Sequence, residues 1–166
     1  MNMIVTVDRN WGLSWNHQPL VRIPSEYRFI QNQTTGKVVV MDYDTLRSFP
    51  GEKAIGGRTT IVMRPGGRPV DPGVVTVSDL SELAQQLEQY NSESVYICGG
   101  ESIYKQYMAQ CDTVYVTWVD YEYRAESFFQ NLDQSEDWTM VEESEEQTYY
   151  DLEYYVRTYA RTKNLR

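Results

Sequence analysis

Short apolar runs rich in β-branched residues recur along the chain, and segments with a helical spacing of apolar positions separate them. The runs cover residues 4–7, 38–41, 59–63, 74–77, 95–98 and 113–119. Runs of this length and composition are typical of strands that are buried on both faces of a sheet. Their alternation with helices predicts an α/β fold with a largely parallel sheet covered by helices.

Three helices are predicted between these strands. One covers residues 24–34, because Pro24 suits a first helical turn, where its missing N–H would have no partner anyway. A second lies within residues 79–90, where leucines recur at helical spacing. A third follows Gly99 and Gly100.

The end of the chain has a different pattern. Residues 138–146 and 149–160 are typical of two long strands, and no helical pattern lies between them. This arrangement predicts an antiparallel hairpin at the edge of the sheet. No repeat or low-complexity linker divides the 166 residues, so we expect one domain over residues 1–166.

Charge and cysteine content restrict the classes of partner. The chain has 24 acidic and 15 basic side chains, a net charge of −9, which disfavours nucleic acids and anionic membranes as partners. Thirteen of the carboxylates lie between residues 112 and 153, in a block that is either a solvated face or an acidic interaction surface. With two cysteines, no metal-ligand spacing and no export leader, we expect a cytoplasmic, membrane-free protein without a metal site.

Glu26 is a candidate acid. It lies in the first turn of the predicted helix 24–34, on the same face as Phe29 and Ile30. Apolar neighbours disfavour an ionised carboxyl and raise its pKa, as a proton donor near neutral pH requires. The alternative is that an acidic residue suits the positive end of a helix.

Gly99 and Gly100 stand directly between a predicted buried strand and a helix. Glycines there allow close approach of a ligand to the backbone, and the helix N-terminus favours a phosphate. The alternative is a turn that needs glycine for steric reasons alone. Arg58, at the start of a strand, is either a bidentate carboxylate ligand or a surface charge.

Taken in order, these segments resemble dihydrofolate reductases, and the resemblance covers nearly the whole chain. The matching segments include Val7-Asp8-Arg9-Asn10-Trp11-Gly12, Ile23-Pro24-Ser25-Glu26, Phe49-Pro50-Gly51, Arg58-Thr59-Thr60-Ile61-Val62-Met63, Gly99-Gly100-Glu101-Ser102-Ile103-Tyr104 and Tyr115-Val116-Thr117. The resemblance implies a dihydrofolate reductase-like, eight-stranded, largely parallel sheet with about four helices and an antiparallel C-terminal hairpin. It also implies a monomer that binds folates and antifolates and serves one-carbon metabolism.

The resemblance further implies hydride transfer from NADPH to dihydrofolate, with site residues in three groups. Glu26 promotes protonation of the pterin N5, and Thr117 hydrogen-bonds its carboxylate. The substrate is contacted by Ile4, Tyr27, Ile30, Phe49, Ile55, Cys98 and Tyr104, and its glutamate tail is held by Arg58. The cofactor is contacted by Ile4, Trp11, Gly12, Thr45, Arg64, Gly99, Gly100, Ser102 and Ile103.

The sequence departs from the family pattern at three places. Asp42-Tyr43-Asp44 stands where the family usually has glycine and a basic residue that contacts phosphate. No tryptophan follows Pro19, and Ser102 occupies a position that is often basic. With Arg64 left as the first candidate cation for the 2′-phosphate and Arg68 as a second, we expect weakened discrimination between NADPH and NADH.

Two other functions remain compatible with these residues. One is reduction of another pterin or of a pyrimidine by the same fold. The other is pterin binding without hydride transfer, which Asp42 and the absent tryptophan favour. Arg58 favours a substrate that carries a glutamate tail.

Overall fold

An eight-stranded path forms the central sheet in the computed structural model, which describes residues 1–166. The twelve strands are β1 (Asn2–Val7), β2 (Gly12–Trp15), β3 (Gln18–Pro19), β4 (Val38–Asp42), β5 (Thr59–Met63), β6 (Val75–Val77), β7 (Val95–Ile97), β8 (Thr113–Val119), β9 (Ser127–Phe128), β10 (Trp138–Glu143), β11 (Gln147–Tyr149) and β12 (Leu152–Arg161). The four helices are α1 (Pro24–Gln33), α2 (Tyr43–Arg47), α3 (Leu80–Leu87) and α4 (Glu101–Tyr107).

The strand order in the central sheet is β10-β12-β8-β1-β7-β4-β5-β6. All pairs from β8 to β6 are parallel, whereas β12 is antiparallel to both β8 and β10. The predicted largely parallel sheet with an antiparallel C-terminal pair is therefore confirmed. None of the helices has the length and apolar character needed to cross a membrane.

Alternating residues of β1 face two different cores. Met3, Val5 and Val7 belong to the larger cluster of buried side chains, which α3 and α4 cover. Ile4 belongs to a second cluster that includes residues of α1 and α2. Because side chains alternate along a strand, Thr6 lies on the same face as Ile4, toward α1.

Three features of the fold are absent from the sequence prediction. The short helix α2 begins at Asp42, whose side chain accepts a hydrogen bond from the N–H of Thr45. A small second sheet has the order β3-β2-β9. The predicted strand over residues 149–160 is interrupted by a turn, so that β11 ends at Tyr149 and β12 begins at Leu152.

The buried carboxylate of Asp8 connects the loop after β1 to the loop after β8. Asp8 is 1% exposed, and it accepts hydrogen bonds from the backbone N–H groups of Asn10 (2.9 Å), Gly12 (2.8 Å) and Tyr123 (2.9 Å). Three backbone donors satisfy a carboxylate that would otherwise be costly to bury. This contact fixes the path of the chain toward the small sheet.

Candidate active site

A cavity of about 1030 Å³ lies at the carboxyl ends of the parallel strands, between α1, α2 and the start of α4. Residues 17–24 form another part of its wall. Ligands of α/β sheets bind at this end of the strands. A volume at the upper limit of ordinary ligand pockets is sufficient for a large ligand or for two adjacent ones.

Glu26 is half-buried in the first turn of α1 and lines this cavity. Burial raises the pKa of the Glu26 carboxyl, and the Thr6 hydroxyl opposes that rise to a smaller extent. Desolvation therefore favours the protonated form of Glu26, which can donate a proton to a bound ligand.

The structure places Thr6, and not Thr117, in the cavity wall that contains this carboxyl. Thr6 pairs in register with Thr117 on the neighbouring strand β8, and only Thr6 lines the cavity. Thr117 is 7% exposed, and neither threonine forms a hydrogen bond with Glu26 in the structure. Thr6 was not among the predicted site residues, although a hydroxyl within an otherwise apolar strand was a recognisable signal.

Five of the predicted substrate contacts line the cavity: Tyr27, Ile30, Phe49, Cys98 and Tyr104. The rings of Tyr27 and Phe49 meet edge to face with centroids 5.4 Å apart. Burial raises the pKa of the Cys98 thiol, so this cysteine is an uncharged part of the wall.

Ile4, Ile55 and Arg58 support the wall from outside it. The carbonyl oxygen of Ile4 accepts a hydrogen bond of 2.7 Å from the Tyr104 hydroxyl, and Ile55 packs against the same apolar cluster as Ile4. Arg58 donates through Nη1 to the Gln31 carbonyl (2.8 Å) at the end of α1, and through Nε and Nη2 to the Gly56 carbonyl (3.0 Å each). Its guanidinium therefore ties the start of β5 to α1.

The turn between β7 and α4 packs tightly against α2. Its Gly99–Gly100 peptide is cis, and both glycines line the cavity. A Cβ on Gly99 would lie 2.6 Å from Thr45 Oγ1, and one on Gly100 would lie 2.5 Å from Asp42 Oδ2. Any larger residue at either position would therefore force the Thr45 or the Asp42 side chain to move.

Asp42 has two contacts at this turn. Its Oδ1 accepts hydrogen bonds from the backbone N–H (2.9 Å) and the hydroxyl (2.6 Å) of Thr45, while Oδ2 faces Gly100. No side chain caps the first turn of α4, so its backbone N–H groups are available to an anion. The residues present thus fit a phosphate-bearing cofactor, with the Asp42 carboxylate as an opposing charge beside it.

The other predicted cofactor residues lie outside the cavity wall. Trp11 is buried and stacks on Phe129 at 6.4 Å, and Ile103 is fully buried in the larger core. Gly12 is buried where its N–H binds Asp8. Ser102 is exposed in the first turn of α4, and the Arg64 guanidinium lies 4.0 Å from the centre of the Tyr43 ring.

Acidic side chains predominate among the charged residues of the cavity wall. It includes three arginines and six carboxylates, those of Glu26, Asp42, Asp44, Glu52, Glu101 and Glu126. At the mouth, His17 Nδ1 lies 3.2 Å from Asp44 Oδ2. An anionic ligand therefore meets more negative than positive charge in this wall.

Comparison with known proteins identifies one family. A sequence model of the family described as Dihydrofolate reductase matches residues 1–161. The dihydrofolate reductase of Staphylococcus haemolyticus is 25% identical over 98% of this chain and 96% of its own length. That of Neisseria gonorrhoeae is 33% identical over 74% of each chain.

A solved structure supports the fold assignment. Dihydrofolate reductase from Enterococcus faecalis, complexed with NADP(H) and RAB-propyl, superposes with a TM-score of 0.77. The superposition covers 97% of this chain and 95% of that chain, at 20% sequence identity.

Proposed function

The chain belongs to the dihydrofolate reductase family and is an NADPH-dependent oxidoreductase that reduces dihydrofolate; we propose that Glu26 is its proton donor. The observation that carries this proposal is the position of Glu26, the carboxyl in the cavity whose pKa burial raises. The protonated carboxyl supplies the proton for N5 of the pterin. Burial keeps this carboxyl protonated before the transfer, because it disfavours the charged form. Tetrahydrofolate, the product, serves one-carbon metabolism.

We place the pterin and its aminobenzoyl group against the apolar wall formed by Tyr27, Ile30, Phe49 and Cys98. The edge-to-face pair of Tyr27 and Phe49 gives a rigid aromatic surface for a flat ring. Arg58 lies beyond this wall, and its protein hydrogen bonds fix its positive charge in place. We assign to Arg58 the carboxylate of the glutamate tail.

We place the cofactor along the Gly99–Gly100 turn. When bound, the reduced nicotinamide supplies the hydride for the reaction. The two glycines permit close approach of its phosphates to the backbone beside Thr45, and the first turn of α4 provides hydrogen-bond donors. Arg64, stacked on Tyr43, is the cation assigned to the adenosine end.

Trp11, Gly12 and Ile103 support the cofactor side through packing. Trp11 and Ile103 belong to the larger core directly beneath Tyr104, whose hydroxyl binds the Ile4 carbonyl. The roles assigned to them are therefore to hold the cavity wall in place.

Replacement of Glu26 by glutamine tests the proton donor. In a spectrophotometric assay of NADPH oxidation with dihydrofolate, Glu26→Gln should lower kcat by about 10²–10⁴ at pH 7. The wild-type rate should fall as pH rises through the pKa of Glu26, and the variant should lose this dependence. Glu52→Gln, which changes an exposed carboxyl at the same cavity, is the control; near-normal turnover of Glu26→Gln would refute the assignment.

The same variant has a second readout, the free energy of unfolding. Because the folded-state pKa of Glu26 is raised above its ordinary value of 4.5, the folded protein binds more protons than the unfolded chain between those two values. Stability contributed by this group is therefore lost as pH rises. Glu26→Gln should be more stable than wild type in urea unfolding at pH 8, and this difference should vanish below about pH 4.

We further propose that the protein acts as one domain, as a monomer and in the cytoplasm, and that it does not bind nucleic acid. The net charge of −9 opposes nucleic-acid binding, and both cysteines are free thiols, as suits a reducing compartment.

A further inference from the structure

Thr6 is the one hydroxyl-bearing residue of β1, and its neighbours along the strand are apolar. The strand contains Met3, Ile4, Val5 and Val7, all of them buried. Thr6 Oγ1 is itself inaccessible to solvent, and it forms no hydrogen bond within the protein. A buried hydroxyl without a partner is unfavourable, so a fold-stabilising role alone would favour valine, which has the same shape.

The surroundings of Thr6 indicate what this hydroxyl serves. Thr6 and Glu26 both line the cavity, and the Thr6 hydroxyl lowers the pKa of the Glu26 carboxyl. In the ionised state Glu26 can only accept hydrogen bonds, whereas a threonine hydroxyl can donate one. The two groups are therefore complementary once Glu26 has lost its proton.

Thr117 cannot substitute for Thr6 in this contact. The two threonines pair in register on adjacent parallel strands, and both lie on the face toward α1. However, Thr6 lines the cavity that contains Glu26, and Thr117 does not. The buried hydroxyl without a partner in this cavity wall thus comes from the first strand of the sheet.

We propose that Thr6 is a positioning residue for Glu26, whose hydroxyl donates a hydrogen bond to the ionised carboxylate and holds it over the cavity between successive proton transfers. This inference rests on the proposed role of Glu26 as proton donor. Thr6 does not itself exchange a proton with substrate. It acts by favouring one orientation of the Glu26 side chain and the ionised form of its carboxyl.

Two replacements of Thr6 separate its hydroxyl from its shape. Thr6→Val keeps the branched shape and removes the donor, while Thr6→Ser keeps the donor. In an NMR titration of protein labelled with ¹³C at glutamate carboxyls, assigned with Glu26→Gln, Thr6→Val should raise the Glu26 midpoint by about one pH unit. Thr6→Ser should titrate within a few tenths of a unit of wild type, and Thr117→Val should shift the midpoint less than Thr6→Val.

The pH profile of kcat/KM gives a second readout. In Thr6→Val, the pH at which kcat/KM falls as Glu26 ionises should rise by the same amount as the Glu26 midpoint. An unchanged Glu26 midpoint in Thr6→Val would overturn the inference. An equal shift in Thr6→Ser, or a larger one in Thr117→Val, would also overturn it. Normal turnover of Glu26→Gln would instead refute the proton donor, and the titration would still report whether Thr6 contacts the carboxylate.

Discussion

Replacing Asp42 by asparagine should tighten the binding of NADPH. The carboxylate caps α2 through Oδ1, while Oδ2 faces Gly100, beside the place assigned to the phosphates. Asparagine retains an oxygen that can accept the hydrogen bond from the Thr45 N–H, and it caps helices about as well as aspartate. The substitution therefore removes the charge and keeps the local structure.

Coulomb's law gives the size of the effect. Two like charges about 6 Å apart, at an effective dielectric constant of about 40 for a site open to solvent, repel by about 1.4 kcal/mol. That energy corresponds to about tenfold in Kd. Because Asp42 is only partly exposed, salt screens this repulsion less than it screens repulsion from a surface charge.

Fluorescence titration with NADPH at constant ionic strength measures this change. We expect Asp42→Asn to lower Kd about tenfold, and to leave the affinity for nicotinamide riboside, which has no phosphate, unchanged. Asp44→Asn is the matched control, because Asp44 is exposed at the mouth and pairs with His17; it should change Kd less than about threefold. An NADPH affinity of Asp42→Asn equal to or weaker than that of wild type would refute the electrostatic argument.

Two further predictions concern cofactor choice and folding. Arg64→Ala should weaken NADPH binding about tenfold and leave NADH binding nearly unchanged, because its guanidinium is the assigned partner of the 2′-phosphate. Arg68→Ala is the control, and a large NADPH preference that survives Arg64→Ala would contradict the assignment. Asp8→Asn should lower the free energy of urea unfolding by about 2–4 kcal/mol, since an amide cannot accept all three backbone N–H bonds. Asp151→Asn, at an exposed turn, should cost less than about 0.5 kcal/mol, and an equal loss in both variants would refute the role of Asp8.

The regular part of the fold was predictable because each element carries its own pattern. The strand over residues 59–63 coincides with β5, and the helix predicted from Pro24 coincides with α1 to within one residue. The break between β11 and β12 was not predictable from patterning. Tyr150 has a φ of 53° there, a left-handed conformation that sequence patterns assign to glycine or asparagine.

The site was harder to predict from the sequence, because the direction in which each side chain points depends on packing against segments distant in the chain. Trp11 turns into the core to stack on Phe129, a contact across more than a hundred residues that no local pattern indicates. Thr6 looks like one more residue of a β-branched strand until α1 is placed over it. Glu26 was identifiable, because an acidic residue in a first helical turn can be recognised from the local sequence. The family resemblance then implied its role.

The charge of Asp42 is not explained by folding. Its capping bond to Thr45 needs an acceptor oxygen, which asparagine or serine would also provide, so α2 does not require a carboxylate at this position. The second oxygen, next to Gly100, forms no hydrogen bond within the protein and faces the cavity. The negative charge therefore acts mainly on whatever binds along the Gly99–Gly100 turn. In a wall that already has twice as many carboxylates as arginines, we expect this charge to weaken the binding of a phosphorylated cofactor.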